Sequence, residues 1–198
     1  MIIFIPGQII YLLTFPGVIL HEIAHRFVCD MLGVRVYHVC YFSLSKEASG
    51  YVMHENITSA FHVFLIAIAP LFINSIICML LLFPFGFAKI LDTTFIFEEF
   101  TINNIIHYLV IWAGFSIGYH AMPSNVDMQR APELTKGYTS YFFLSLAKFI
   151  VALFNIPLLG PILRLMYAFT VASIPFFIFF IILLSMIKLG LINNLYFL

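Results

Sequence analysis

Charge is the property that this sequence has least of. Only 9% of its 198 residues are Asp, Glu, Lys or Arg, whereas 63% are hydrophobic and the mean hydropathy is +1.09. A typical soluble domain is about a quarter charged and about half apolar. Because so few polar groups cannot cover a folded surface in water, the composition excludes an ordinary soluble domain and predicts an integral membrane protein.

The sequence also lacks a bias toward either sign of charge, and it has few cysteines. Nine basic residues match nine acidic ones without a basic run, which excludes the electrostatic footprint of a nucleic-acid-binding protein. Cys29, Cys40 and Cys78 are odd in number and show no CxxC spacing, so they predict neither a disulfide framework nor a thiolate zinc site. Residues 1–5 carry no basic residue, unlike a signal peptide, and are predicted to be retained in the first span.

Apolar runs of about 20 residues, the length that crosses a bilayer, recur along the chain. They predict an all-α membrane protein, a polytopic helical bundle of about five transmembrane helices with a short β-hairpin between the first two. The predicted spans cover 8–28, 59–83 and 103–121, followed by two in 141–187 that are separated near 157–161. The second span is predicted to stop at Pro84-Phe85-Gly86, and β-branched and aromatic residues in 34–53 predict the hairpin.

The spans predict a single membrane domain over 1–198, with a catalytic core at about 8–128 and accessory helices at about 139–198. Lys148 leaves a second interpretation for its segment, a helix lying in the membrane plane. Basic residues set the orientation. Five spans place Lys89 and Arg164 on one side. The other side receives Arg26, Arg35, Lys46, Arg130, Lys136 and Lys188. We therefore predict a multi-pass protein of the cell membrane whose amino terminus lies outside.

The sharpest local motif is His21-Glu22-Ile23-Ala24-His25, an HExxH sequence inside the first span. Residues four apart share a helix face, so both imidazoles can reach one metal ion, and Glu22 can act as general base on a water molecule. Ionisable groups cost about 2.5–3.5 kcal/mol each at the centre of a membrane helix. Such a cluster therefore favours a Zn²⁺ site over a polar cluster that only bonds neighbouring helices.

A catalytic zinc site needs a third protein ligand and an open fourth position. The residues leave four candidates, Asp127, His54, His120 and Glu55. Asp127 follows the third span directly, in a loop predicted to return to the membrane side on which His25 lies. That loop must dip inward to reach His21, which requires its irregular backbone to be buried in protein.

The order of these motifs resembles the site-2 proteases, a family of membrane-embedded zinc metalloproteases, over residues 15–128. Phe15-Pro16-Gly17-Val18-Ile19-Leu20 leads into HExxH as in that family. Asn125-Val126-Asp127 resembles its N-x-D-G motif, with Met128 in place of Gly. Ala69-Pro70…Asn74 resembles its Gly-Pro…Asn element, with Ala in place of Gly and a spacing one residue longer.

This resemblance implies an intramembrane zinc metalloprotease in which His21, His25 and Asp127 hold Zn²⁺. Its expected substrates are peptide bonds in or near transmembrane segments of other membrane proteins, and its expected surroundings are the lipid bilayer. Glu22 is expected to be the general base, and Asn74 or His54 to stabilise the oxyanion. The strand ahead of His54 is expected to pair with an extended substrate.

Two other functions remain open at this stage. One is a non-proteolytic membrane protein with a structural zinc or polar site, and the other is a membrane zinc hydrolase of a non-peptide substrate. The predicted strand favours a peptide, because strand pairing recognises a backbone. His38, His62 and His107 are predicted to be structural.

Overall fold

The computed structural model describes residues 7–44, 49–91, 102–124, 127, 138–156 and 159–189. This part of the chain is mostly helical with one small sheet, which confirms the coarse fold prediction. The elements are α1 (Gly7–Leu13), α2 (Phe15–Met31), β1 (Val36–Cys40), β2 (Tyr51–His54), α3 (Ala60–Leu91), α4 (Ile102–Tyr119), α5 (Tyr138–Phe154) and α6 (Leu159–Lys188).

The first predicted span is two helices rather than one. α1 ends before Thr14, and α2 begins with Phe15 and has Pro16 in its first turn, where a missing N–H costs nothing. α2 then continues to Met31, three residues beyond the predicted end. Gly33 follows with φ of 69°, a conformation that favours glycine and turns the chain toward β1.

The predicted hairpin is confirmed. β1 and β2 pair antiparallel, with Val39 opposite Val52 and Cys40 opposite Tyr51, and an irregularity falls between Val36 and His38. Both strands pack against α2. The hairpin therefore lies beside the helix that carries HExxH.

Helices α2 and α4 run in the same direction, and their contacts follow one another along both helices. The indole Nε1 of Trp112 donates to the Leu13 carbonyl at 2.8 Å, and the Gly17 amide donates to Ser116 Oγ at 2.9 Å. A Cβ on Gly17 would lie 2.1 Å from the Ser116 carbonyl oxygen. Because position 17 is glycine, the two helices can pack closely enough for α2 to lie beside the end of α4.

Helices α3 and α6 run opposite to α2 and α4. The Ser75 and Tyr167 hydroxyls are 2.8 Å apart, and a core cluster joins α3, α4 and α6 through Cys78, Leu82, Ile117 and Val171. α5 instead packs against the first turns of α3, where Leu144 and Val151 meet Val63 and Ala67.

The orientation predictions for Arg164 and Lys188 are wrong. Arg164, at the start of α6, was expected at the opposite end from Asp127, yet its Nη1 donates to the Met122 carbonyl at 3.1 Å, close to the end of α4. The reason is that α5 packs against the first turns of α3 and does not carry the chain to the opposite end. α6 therefore begins at the end of the bundle where α4 finishes. Lys188 was expected at the same end as Asp127, but it lies 24 residues after Arg164 on the same helix, about 36 Å from that end.

Within the described residues, two helical segments are long and apolar enough to cross a membrane, Ala60–Phe83 and Leu159–Lys188. Ile105–Tyr119 and Leu144–Phe154 are shorter apolar helices. The predicted stop at Pro84 is wrong, because α3 continues to Leu91. A proline removes one backbone donor and can be accommodated within an apolar helix of this kind.

Candidate metal centre

His21 and His25 lie one turn apart on α2, and both side chains are buried. Their Nε2 atoms are 3.1 Å apart. Each ring is oriented by a contact at its Nδ1 atom. Nδ1 of His21 lies 2.7 Å from the His120 carbonyl oxygen, and Nδ1 of His25 lies 2.8 Å from the Ile66 carbonyl oxygen. Because a carbonyl oxygen only accepts, each Nδ1 carries the hydrogen, and a neutral ring then turns a bare Nε2 toward the other.

Asp127 closes the group, as predicted from the motif order. Its Oδ1 lies 3.2 Å from His25 Nε2, its Oδ2 lies 3.3 Å from His21 Nε2, and its side chain is 13% exposed. The Ser124 amide donates to Oδ2, and the Asp127 amide donates to Ser124 Oγ at 3.4 Å. Burial raises the pKa of the Asp127 carboxyl, but His25 and His21 outweigh it, so its pKa lies well below the usual range.

The chemistry of these donors fits a metal ion. Two imidazole nitrogens and a carboxylate are the ligands that zinc takes in catalytic sites. Zinc bonds of about 2.0–2.1 Å in tetrahedral geometry separate neighbouring ligand atoms by roughly 3.3 Å. The separation of 3.1 Å between the two Nε2 atoms is close to that value, and each imidazole also lies near one oxygen of Asp127, His21 near Oδ2 at 3.3 Å and His25 near Oδ1 at 3.2 Å. His21, His25 and Asp127 form a group that could hold a metal ion.

Glu22 lies beside this group without joining it. Its side chain is buried, 7% exposed, and its charge acts on His21, His25 and Asp127. Among the described residues its carboxylate receives no hydrogen bond. A Cβ on Gly50 would lie 2.7 Å from Glu22 Cγ and 2.9 Å from its Oε1. The backbone just before β2 therefore sets the space in which this carboxylate lies.

The predicted oxyanion residue Asn74 lies close to the metal ligands. Its side chain is fully buried, and Nδ2 donates to the His120 carbonyl at 3.3 Å, the same oxygen that receives His21 Nδ1. Within the described part of the chain, Asn74 Oδ1 has no hydrogen-bond partner. In this arrangement Asn74 helps to orient His21, and its predicted contact with an oxyanion stays a prediction.

His120, a candidate ligand, directs its ring away from the metal ligands. Nε2 lies 2.7 Å from Thr14 Oγ1, and the Thr14 hydroxyl donates to the Ile10 carbonyl. Thr14 therefore accepts from the ring, and His120 contributes its carbonyl oxygen rather than its imidazole. The motif pattern cannot show whether His120 contributes its imidazole or its backbone carbonyl, because this depends on where α4 ends.

His54 and Glu55, the remaining candidate ligands, lie at a cavity beside Asp127. The His54 ring Nδ1 donates to the Glu55 carbonyl at 2.8 Å, and Glu55 Oε1 accepts from the Arg35 amide at 3.1 Å. The cavity measures about 400 Å³. Its lining comprises Tyr37, Met53, His54, Glu55, Asn56, Ile57, Val63, Ile66 and Asp127. His54 therefore faces the space next to the metal ligands without entering their group.

Family models, curated proteins and solved structures were each compared with this chain, and none matches it. Asn125 and Met128, which contribute to the sequence resemblance, lie outside the described residues.

The geometry predicts that Asp127→Ala lowers zinc bound per purified chain well below one, because two imidazoles alone leave the ion without its charged ligand. Inductively coupled plasma mass spectrometry after dialysis against a weak chelator measures this. Asp30→Ala is the matched control, since Asp30 is an exposed carboxylate that pairs with Arg26 on the outer face of α2. Full zinc occupancy in Asp127→Ala would exclude Asp127 as a ligand.

Proposed function

We propose that this chain is an intramembrane zinc metalloprotease that hydrolyses peptide bonds in or near transmembrane segments of other membrane proteins. The observation that carries the proposal is the convergence of His21, His25 and Asp127, in which the two Nε2 atoms are 3.1 Å apart and each lies 3.2–3.3 Å from one oxygen of the carboxylate, with Glu22 buried beside them. The same residues carry the resemblance to the site-2 proteases in the sequence.

In this proposal His21, His25 and Asp127 hold the ion. When bound, zinc activates a water molecule and polarises the carbonyl of the bond to be cleaved. Structural zinc sites are closed by four protein ligands, whereas catalytic sites use three. The described residues supply three, which favours a catalytic site over the structural alternative.

Glu22 is the proposed proton carrier. Its carboxylate accepts a proton from the attacking water as the new C–O bond forms, and it delivers that proton to the amine nitrogen as the C–N bond breaks. The absence of hydrogen bonds to its oxygens within the described residues supports this role, because both remain free to accept. Its burial keeps it apart from competing bulk water.

The cavity beside Asp127 supports a peptide substrate. It lies between β2 and the start of α3, with the Ile66 backbone that orients His25 in its wall. A substrate helix must unwind before hydrolysis, and an extended segment needs backbone partners, which a strand edge at the hairpin can supply. His54 then lies where it can contact the substrate rather than the ion.

The membrane location rests on the two apolar helices and on the large apolar side chains that the described helices expose, such as Leu80, Phe149 and Phe177. We propose a multi-pass arrangement with the metal centre nearer the cytoplasmic side. Arg26, Arg35 and Arg164 lie toward the end of the bundle at which α2 and α4 finish, whereas Lys188 lies toward the other end. This excess of basic residues near the metal centre agrees with the positive-inside rule. Lys46, Lys89, Arg130 and Lys136 lie outside the residues whose side chains are described.

Glu22→Gln is expected to retain one zinc per chain and to lower the cleavage rate by about 10²–10⁴-fold, because an amide cannot accept the proton. The assay co-reconstitutes the full chain in liposomes with a single-span model protein that has Gly and Pro within its span. Asp30→Ala serves again as the matched control. Cleavage by Glu22→Gln at the rate of the unmodified chain would refute the role of Glu22 as proton carrier, and no cleavage by the unmodified chain would refute the protease proposal.

Gly50→Ala is expected to slow cleavage of the same model protein by at least tenfold while zinc binding stays unchanged. The added methyl group would displace the Glu22 side chain, whose Cγ, Oε1 and Cδ lie 2.7–3.0 Å from the new Cβ position and are the three heavy atoms nearest to it. Ser49→Ala, one residue earlier in the chain, is the control. Equal rates for Gly50→Ala and Ser49→Ala would show that the position of Glu22 does not govern the reaction.

A further inference from the structure

The guanidinium of Arg164, near the start of α6, donates to carbonyl and amide oxygens instead of pairing with a carboxylate. Nη1 donates to the Met122 carbonyl at 3.1 Å, and Nη2 donates to the Pro123 carbonyl at 3.4 Å and to Asn155 Oδ1 at 3.1 Å. Nε donates to the Phe154 carbonyl at 3.3 Å. Among the described residues, its nitrogens lie within 4 Å of no carboxylate. This partly buried cation therefore donates to three backbone carbonyls and to one side-chain amide oxygen.

Two of these oxygens belong to the turn that carries the third metal ligand. Met122 and Pro123 are both buried and directly precede Ser124, whose amide donates to the Asp127 carboxylate. Asn155 reinforces the same turn, because its Nδ2 donates to the Pro123 carbonyl at 3.4 Å. The route from Arg164 to Asp127 is therefore a short series of hydrogen bonds through one turn.

From this geometry we infer that Arg164, assisted by Asn155, is a positioning residue for the metal centre. It holds the 122–124 turn so that Asp127 reaches His21 and His25. The inference rests on the proposed metal site and gives the carboxy-terminal helices a role that no sequence motif indicated. Outer partners of this kind typically change metal affinity by about 10–100-fold when they are removed.

Arginine suits this position because of its shape. Its planar fork presents five N–H donors in fixed directions and can serve several carbonyls at once, whereas lysine is a compact cation on a flexible stem. Arg164→Lys should therefore restore only part of what Arg164→Met loses. A role limited to neutralising charge would instead let lysine restore all of it.

The test compares the full chain with Arg164→Met, Arg164→Lys, Asn155→Ala and Lys188→Met in detergent. Lys188→Met is the matched control, because it removes a cation from the exposed far end of the same helix. Two quantities are measured. One is the zinc dissociation constant by competition with a chromophoric chelator, and the other is hydrogen–deuterium exchange of peptides covering 118–127 in metal-free protein.

The inference predicts faster exchange of the turn and an approximately 10–100-fold weaker zinc affinity in Arg164→Met. Arg164→Lys and Asn155→Ala should fall in between, and Lys188→Met should stay within about twofold of the unmodified chain. Unchanged exchange in both Arg164→Met and Asn155→Ala overturns the inference. So does faster exchange with unchanged zinc affinity, since the turn would then not position the ligand.

These outcomes separate the inference from the proposed function. If the unmodified chain binds zinc but cleaves nothing, the protease proposal fails while the positioning role stands or falls on the two measurements above. If it binds no zinc, the proposed metal site fails, and the exchange data alone decide whether Arg164 holds the turn. If Arg164→Met does not fold, Asn155→Ala carries the same comparison.

Discussion

Three lone-pair donors packed against one another, with few polar neighbours, form the constraint on which the rest of this structure depends. His21 Nε2, His25 Nε2 and the Asp127 carboxylate lie 3.1–3.3 Å apart. Acceptors at this distance repel one another unless a cation, either a proton or a metal ion, lies among them. Because two imidazoles and a carboxylate are also ligands that zinc takes, we interpret the arrangement as a site that could hold a metal ion.

Each surrounding helix contributes a contact that keeps these donors in place. α3 supplies the Ile66 carbonyl behind His25, and the residue that follows α4 supplies the His120 carbonyl behind His21. Asn74 steadies the His120 oxygen from α3. Because the partners of both imidazoles are backbone oxygens, the site depends on where the helices end and on how closely they pack. The approach of α4 to Gly17 is one such contact.

Glu22 and the two histidines point in different directions because of helix geometry. Residues 21 and 25 share one face, whereas residue 22 is rotated by about 100° and faces the hairpin rather than the third ligand. Gly50, directly before β2, leaves room for the Glu22 side chain. The hairpin therefore has two contributions to the proposed mechanism, since it bounds the substrate cavity and sets the position of the proton carrier.

Much of this site could be predicted from the sequence, because its donors belong to local patterns with a physical meaning. HExxH places two imidazoles on one helix face, and the cost of three ionisable groups within an apolar run favours a metal site over a purely structural polar cluster. The prediction of Asp127 required more than a local pattern. Four candidates satisfied the ligand chemistry, and the order of the motifs decided among them. Asn74 was found by resemblance, but its bond to the His120 carbonyl was not foreseeable.

The failures share a cause. Arg164 was assigned to the wrong end because five apolar runs were counted as five crossings, and the packing of α5 against Val63 and Ala67 is a tertiary contact that hydropathy does not encode. The extension of α3 past Pro84 likewise depends on its surroundings rather than on residue preference. Backbone carbonyls that orient histidines leave no trace in a sequence at all.

X-ray absorption at the zinc edge of the purified, full-length protein tests the central claim most directly. The account predicts one zinc per chain with nitrogen and oxygen ligands at about 2.0–2.1 Å and the scattering pattern of two imidazole rings. A sulfur ligand at about 2.3 Å, which would point to a cysteine instead, or the absence of paired imidazole scattering would contradict it.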